Sequence, residues 1–294
     1  MKPAPFEYLA PQELHEALEL LQQYGEEAKI LAGGQSLMPL MSLRLARPGV
    51  IIDINRLSSL DSISARPNGE LAIGALTRQR AVERSKTVQD RNPLFAATIP
   101  LIGHFQIRNR GTVGGSLVHA DPAAELPAVS MALGAEFVLR SAGGERVVQA
   151  EDFYLGYMAT AIGPSEILSE IRIPGWKPGL GWAIDEVSRR KGDFALVGVT
   201  LLVQLDENDA CEDACITIFG VGGKPVRMQK AEGILRGKGL DQRTLAEVAN
   251  AASDELDPDS DIHASAQYRK EAGGLLTRRA LETAWVRVRE SKKP

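Results

Sequence analysis

Leu31-Ala32-Gly33-Gly34-Gln35-Ser36-Leu37-Met38-Pro39 comes straight off Lys29–Ala32, a run that reads as a buried strand. Two adjacent glycines permit backbone angles closed to other residues, and their bare peptide N–H groups can approach a ligand closely. Such a turn can cradle phosphate without a lysine. Arg108-Asn109-Arg110-Gly111-Thr112-Val113-Gly114-Gly115-Ser116-Leu117 repeats the design: a strand-like lead, paired glycines, then a hydroxyl residue. One loop of this kind is weak evidence; two in one chain can pinch an extended dinucleotide from opposite sides. The residues alone leave a second reading open, in which both are tight turns that hold nothing. Neither loop contains G-x-G-x-x-G and neither carries a P-loop lysine, so the Rossmann and NTPase readings lose their main support. Gly220-Val221-Gly222-Gly223-Lys224-Pro225 imitates that fingerprint, but Pro225 stands at its third glycine and the string reads as a hairpin turn.

Around the first loop, Leu14, Ala17, Leu18 and Leu21 share a helical face before Gly25, and Val50–Ile54 reads as a second buried strand. This opening unit, residues 1–57, alternates β and α. A second alternating unit, 58–176, has a strand at 71–76, helices near 78–85 and 93–102, and then the second glycine-rich loop. Asp121 is expected to cap, and Pro122 to open, a helix reaching about Leu133. EFVLRS (136–141) and ERVVQA (145–150) read as a hairpin. IPGWKPGLG (173–181) breaks any regular element, which places the main boundary there. The C-terminal unit, 177–294, reads as three long strands, GWAIDEVSRR, FALVGVTLLVQLD and ACITIFGVGG. Helices follow near 230–237, 243–255 and 266–289, an α+β layer. The tail SKKP is expected to fray.

Composition narrows the function. In 294 residues, Lys+Arg 34 against Asp+Glu 38 gives a net charge of −4, so no bulk attraction for nucleic acid or an anionic membrane exists. No apolar stretch approaches the roughly 20 residues of a membrane span and the start lacks a secretory pattern, which predicts a cytoplasmic protein. Cys211 and Cys215 are too few for an iron–sulfur or zinc site built by this chain alone, and read as reduced strand or turn residues. His15, His104, His119 and His263 are scattered without metal-ligand spacing.

AGGQSLMPLMSLRLARPGVIIDINRL and IRNRGTVGGSLVHADPAAELPAVSMALGA closely resemble the two flavin motifs of the medium subunit of carbon monoxide dehydrogenase and its relatives. These relatives include the flavin domain of xanthine dehydrogenase and the flavin subunits of bacterial nicotine and quinoline enzymes. The likeness continues through SEILSEIRIP, VSRRKGDFALVGV and YRKEAGGLLTRRALE, essentially the whole chain. It implies an α+β fold: a two-subdomain FAD-binding domain of the vanillyl-alcohol-oxidase-like kind, plus a C-terminal three-stranded antiparallel sheet with helices. It also implies that Ala32, Gly33, Gly34, Gln35, Ser36 and Leu37 bind the FAD pyrophosphate through backbone N–H groups, assisted by the Ser36 hydroxyl. Thr112, Gly114, Gly115 and Ser116 form the opposing wall. Glu125 stands where relatives carry a carboxylate for ribose or ribityl hydroxyls. Asp121 and His119 lie in the same loop, with helix capping the alternative role for Asp121. Ile102 aligns with an apolar residue beside the isoalloxazine, and Leu168 with a backbone contact to the ring edge.

Two departures matter. Xanthine dehydrogenases have a lysine near the flavin where this chain has Leu196, with Lys191 nearby, which weakens any inference of NAD as acceptor. Gln35 replaces the histidine that attaches flavin covalently in some related flavoproteins, which implies noncovalent FAD. The resemblance further implies two partners, a large molybdopterin subunit that oxidises substrate and a small subunit with [2Fe-2S] clusters, in a dimer of heterotrimers. FAD suits the junction because it takes electrons singly and gives them up in pairs. The Arg108/Arg110 pair either faces a partner or is a solvated basic turn. Two other classes stay open at this point: a stand-alone flavin oxidase or reductase of the same fold, and a scaffold subunit that has lost FAD.

Overall fold

Burial explains the opening unit strand by strand. The computed structural model describes residues 2–291, so of the tail only Ser291 is described and the rest of the expected frayed end lies outside. β1 (Glu7–Leu9), β2 (Ala28–Leu31) and β3 (Val50–Asp53) form a parallel sheet in the order β1-β3-β2. Helix α1 (Leu14–Tyr24) lays Ala17, Leu18 and Leu21 onto it, beside Val50 and Ile52. A capping box between Glu13 and Glu16 sets its start.

The second unit departs from the expected alternation. β4 (Ile63–Ala65), β5 (Leu71–Gly74), β6 (Glu136–Ser141), β7 (Gly144–Gln149) and β10 (Ile167–Ile173) make one antiparallel sheet ordered β4-β5-β10-β6-β7, with the short ribbon β8 (Tyr154–Gly156) and β9 (Ala159–Thr160) beside it. Between β5 and β6 the chain makes six α-helical segments: α3 (Gln79–Arg84), α4 (Lys86–Arg91), α5 (Pro93–Thr98), α6 (Phe105–Arg108), α7 (Val113–His119) and α8 (Glu125–Ala132). Phe137, Phe153 of the short helix α9 (Ala150–Phe153) and Tyr154 pack edge to face in its core, Phe137 and Phe153 with centroids 4.7 Å apart.

Beyond the Pro/Gly-rich stretch the three expected strands stand as β11 (Gly181–Ser188), β12 (Ala195–Leu205) and β13 (Cys211–Phe219), and a two-residue β14 (Val226–Arg227) adds a fourth. The turn 220–225 joins β13 to β14 antiparallel, the expected hairpin. Helices α10 (Gln229–Leu235), α11 (Gln242–Glu255) and α12 (Ala266–Ser291) cover one face, against Val197, Val199, Leu201 and Val203. The other face turns toward the second unit: Leu202, Trp182 and Ile184 join that unit's core, and Phe219 packs with Ala128 of α8. Burial on both faces is why β12 reads as an unbroken apolar run rather than an alternation. A bulge between Gln204 and Leu205 puts Cys211 and Cys215 in different cores, and burial pushes their thiols up to about 12 and about 11. They are separate core thiols, not a redox pair. No described helix is long and apolar enough to cross a membrane.

Candidate functional site

The first glycine loop follows β2 as expected and leads into α2 (Leu37–Ser42). Gly34 sits at φ +73, a backbone region that suits glycine, and the Gln35 amide folds back to donate to Gly33 O at 3.0 Å. Among the described residues, the N–H groups of Gly33, Gly34, Gln35 and Ser36 donate to no protein acceptor. Four successive unpaired donors beside a left-handed glycine are the chemistry of an anion cradle.

The second loop is not a loop throughout. Its lead is helical, in α6, and Gly114 and Gly115 lie in the first turn of α7. Thr112 caps that helix, accepting from Gly115 N at 3.0 Å. Val113 N donates to Thr77 O, Gly114 N to Ala75 O at 2.8 Å, and Ser116 N to Thr112 O. These donors are spent inside the protein, so the diglycine serves close approach instead of ligand contact. A Cβ on Gly114 would stand 2.5 Å from Ala75 Cβ, and one on Gly115 would stand 4.0 Å from Ala32 Cβ.

The two segments do meet. A Cβ on Gly33 would fall 2.5 Å from Arg110 O and 2.9 Å from Gly111 Cα. Two residues that sequence reasoning did not single out hold them there. Asn55, after β3, donates to Ala32 O at 2.7 Å, and Arg78 donates both to Asn55 Oδ1 at 2.6 Å and to Arg110 O. The only sequence sign of this strut is a polar residue following a buried strand, in DIN (53–55).

Most of the remaining candidates lie on or beside α7 and on the two elements packed against it, α8 and β10. Ala75 N donates to Ser169 O, and Ser169 is the extra residue of a bulge in β10, so the Leu168 backbone is linked to Gly114 through Ser169 and Ala75. His119 closes the last turn of α7, and Ala120 ends it in a left-handed conformation. Asp121 does not cap α8: its Oδ1 accepts from Ala123 N at 2.9 Å, and the helix begins only at Glu125. Glu125 is buried, which raises its carboxyl to about 8, and the carboxylates of Glu186 and Asp121 push the same way. Glu186, on the face of β11 turned to this unit, is itself raised to about 7 by burial and then by Asp185. Ile102 is half-buried in a turn clamped by Arg108, which donates to Ile102 O and Gly103 O at 2.9 Å and pairs with Glu83 at 3.0 Å. Arg108 is therefore buried structure, neither a partner contact nor a solvated turn; Arg110 remains exposed.

Free N–H donors on one glycine segment, closed over by a second, make a cradle of the kind that a dinucleotide's pyrophosphate requires. A family model described as the FAD binding domain in molybdopterin dehydrogenase matches residues 4–176, and one described as the CO dehydrogenase flavoprotein C-terminal domain matches 182–284. Subunit alpha of the 6-hydroxypseudooxynicotine dehydrogenase complex of Paenarthrobacter nicotinovorans is 42% identical, covering 100% of this chain and 99% of that one. The carbon monoxide dehydrogenase medium chain of Hydrogenophaga pseudoflava is 38% identical over 98% of this chain and 99% of its own length. A solved structure of carbon monoxide dehydrogenase from that organism, lacking the Mo-pyranopterin moiety of its molybdenum cofactor, superposes with a TM-score of 0.94 over 98% of this chain and 99% of that one. The chain belongs to the FAD-binding medium-subunit family of molybdenum hydroxylases, the oxidoreductases typified by carbon monoxide dehydrogenase.

Proposed function

We propose that the chain holds one noncovalent FAD and passes electrons from [2Fe-2S] clusters on a small partner subunit to an external acceptor. A large molybdopterin subunit performs the substrate oxidation, and the assembly is a cytoplasmic dimer of heterotrimers. The units 1–57 and 58–176 grip the cofactor, and 177–294 covers it. The observation that carries this reading is the run of unpaired N–H groups from Gly33 to Ser36, packed against Arg110 and Gly111. One relative is itself a subunit of a dehydrogenase complex, which supports the partners.

In this reading Ala32 to Leu37 donate N–H bonds to the pyrophosphate, with the Ser36 hydroxyl assisting. Thr112, Gly114, Gly115 and Ser116 bring α7 close enough to wall it in. Glu125, protonated at neutral pH, donates a hydrogen bond to a ribityl or ribose hydroxyl, which an ionised carboxylate cannot do. Asp121 and His119 border the same chain of the cofactor. Ile102 excludes water from the ring, and the Leu168 backbone meets its edge. Flavin supplies exchange between single electrons and electron pairs. Gln35, bonded back to its own loop, offers no group for covalent attachment.

Purification with its partners is expected to give a yellow protein whose flavin is released by acid precipitation, together with iron, molybdenum and two further polypeptides. A colourless pure complex would overturn the cofactor reading. Flavin left on the polypeptide after denaturation would overturn noncovalent binding, and a yellow protein free of iron and molybdenum would overturn the partner reading.

A further inference from the structure

Two carboxyls face each other across the seam between the halves of the chain, and the cofactor reading uses only Glu125. That residue begins α8 and is 6% exposed, while Glu186 lies on β11, two residues beyond Ile184 and on the same face, turned to the second unit. Register carries one to the other. Glu186 pairs with Gly198 and Gly198 with Phe219, whose ring covers the bare glycine and packs on Ala128, one helical turn after Glu125. Among the described residues, Oε2 of Glu186 is buried without a hydrogen-bond partner, as is the hydroxyl of Thr200 on the neighbouring strand. A carboxylate with an unanswered buried oxygen is costly, which favours the neutral acid.

The charges that act on the pair share one sign. Asp121, in the turn before α8, presses on Glu125, and Asp185 presses on Glu186. Arg279 of α12 lies 3.1 Å from Asp185 and answers that carboxylate, on the opposite face of β11. Helix α5, packed on β11, has no ionisable side chain in Pro93–Thr98, and Val197, Gly198 and Val199 of the adjoining β12 have none. Two facing acids without a cation cannot both stay ionised out of water at neutral pH, so the pair holds at least one proton. Glu186, raised to about 7, gives up its proton before Glu125, raised to about 8, and the first charge then holds the second proton in place.

Electrons that arrive from iron–sulfur clusters bring no protons, so each pair adds negative charge to the cofactor against Glu125. We propose that Glu186 compensates that charge: it binds a proton from solvent when an electron pair arrives and releases it when the pair leaves for the acceptor. The inference rests on the FAD reading above, which sets the cofactor beside Glu125. On arrival the Glu186 carboxylate gains an O–H bond, and on departure that bond breaks. The electrons come from the clusters and go to the external acceptor, so no further reactant is consumed. Glu186 is half-buried, which leaves it within reach of solvent protons. Its proton affinity should rise about tenfold when the charge appears nearby. Glu125 keeps its proton throughout, and with it the hydrogen bond that the cofactor reading assigns to it.

Potentiometric titration of the flavin in the assembled complex, repeated from about pH 6 to about pH 9, reads the protons bound per electron pair. In the wild type that number is expected to rise by about half a proton around about pH 7.5, between the affinities of Glu186 before and after reduction. Glu186→Gln, which cannot ionise, should lose the rise while keeping its flavin. Infrared difference spectra of the reduced and oxidised complex give a second reading. Reduction should add a carboxyl C=O band that shifts on deuterium exchange and is missing from the variant. A wild type that gains no such band overturns the proposal without any variant, and so does an equal proton count in wild type and Glu186→Gln. A colourless complex overturns the FAD reading and this one together, whereas a yellow complex without the carboxyl band overturns this one alone.

Discussion

A single methyl group measures how tightly the two glycine segments are closed. Alanine at position 33 would place Cβ 2.5 Å from the Arg110 carbonyl, a backbone atom that moves only if its whole segment moves. Gly33→Ala is expected to cost about 2 kcal/mol through overpacking and, by driving the segments apart, to weaken FAD at least about tenfold. Flavin content per polypeptide and the melting temperature of the apoprotein check the two effects separately. Glu125 gives a prediction of a different kind. Its carboxyl has an ordinary value of 4.5 and stands at about 8 when folded, so the folded chain holds that proton more tightly than the unfolded chain. The stabilisation is complete below the unfolded value and is lost as pH climbs through the folded one, on the order of 5 kcal/mol across that window. Melting temperature should therefore fall between about pH 5 and about pH 9, and Glu125→Gln, which cannot ionise, should flatten the fall. Parallel slopes for wild type and variant would show that the buried carboxyl titrates normally. Sequence named both residues, but not these couplings: the Arg110 carbonyl that crowds Gly33 is distant in the chain, and Glu186 reaches Glu125 from another sheet.

Among the elements, α7 shows best where sequence reading worked and where it failed. Paired glycines are unfavourable inside a helix, by about 1 kcal/mol each relative to alanine, so Val113–His119 reads as loop on propensity. Tertiary contact decides otherwise, because the close approach of Gly114 to Ala75 lets this turn pack on the end of β5, and Thr112 supplies the missing cap. Thr112→Val keeps the shape and removes the capping oxygen. It is expected to cost about 1 kcal/mol and to loosen FAD modestly, with α7 amides exchanging faster in hydrogen-exchange mass spectrometry than those of α1 in the same sample. Uniform exchange across both helices would mean that packing alone holds α7. The start of α8 was misplaced for a related reason. Asp121 has the side chain of an N-cap, yet spends it on a tight turn to Ala123, and Ala124, with no side-chain acceptor, stands at the true N-cap. Helix α1 was legible because its apolar spacing and the Gly25 that ends it agree with how it packs.

For the molecule as a whole, the unbroken apolar run of β12 announced two covered faces but could not say what covers the second one. The answer is the flavin-binding half itself: Leu202, Trp182 and Ile184 sit in its core, and Phe219 packs on Ala128. Two family models meet between residues 176 and 182, yet the hydrophobic contact crosses that line. A shared core implies shared unfolding, because neither half keeps its buried surface when the other melts. Scanning calorimetry of the full chain is expected to show one transition, with calorimetric and van't Hoff enthalpies in agreement. Leu202→Ala tests the origin of that cooperativity. It should cost about 3 kcal/mol, and because its side chain belongs to both halves, it should move the whole transition downward instead of splitting off a C-terminal peak. Two resolved peaks in the wild type, or a variant in which only one of them shifts, would show that the halves fold independently and that the apolar seam between them stabilises neither.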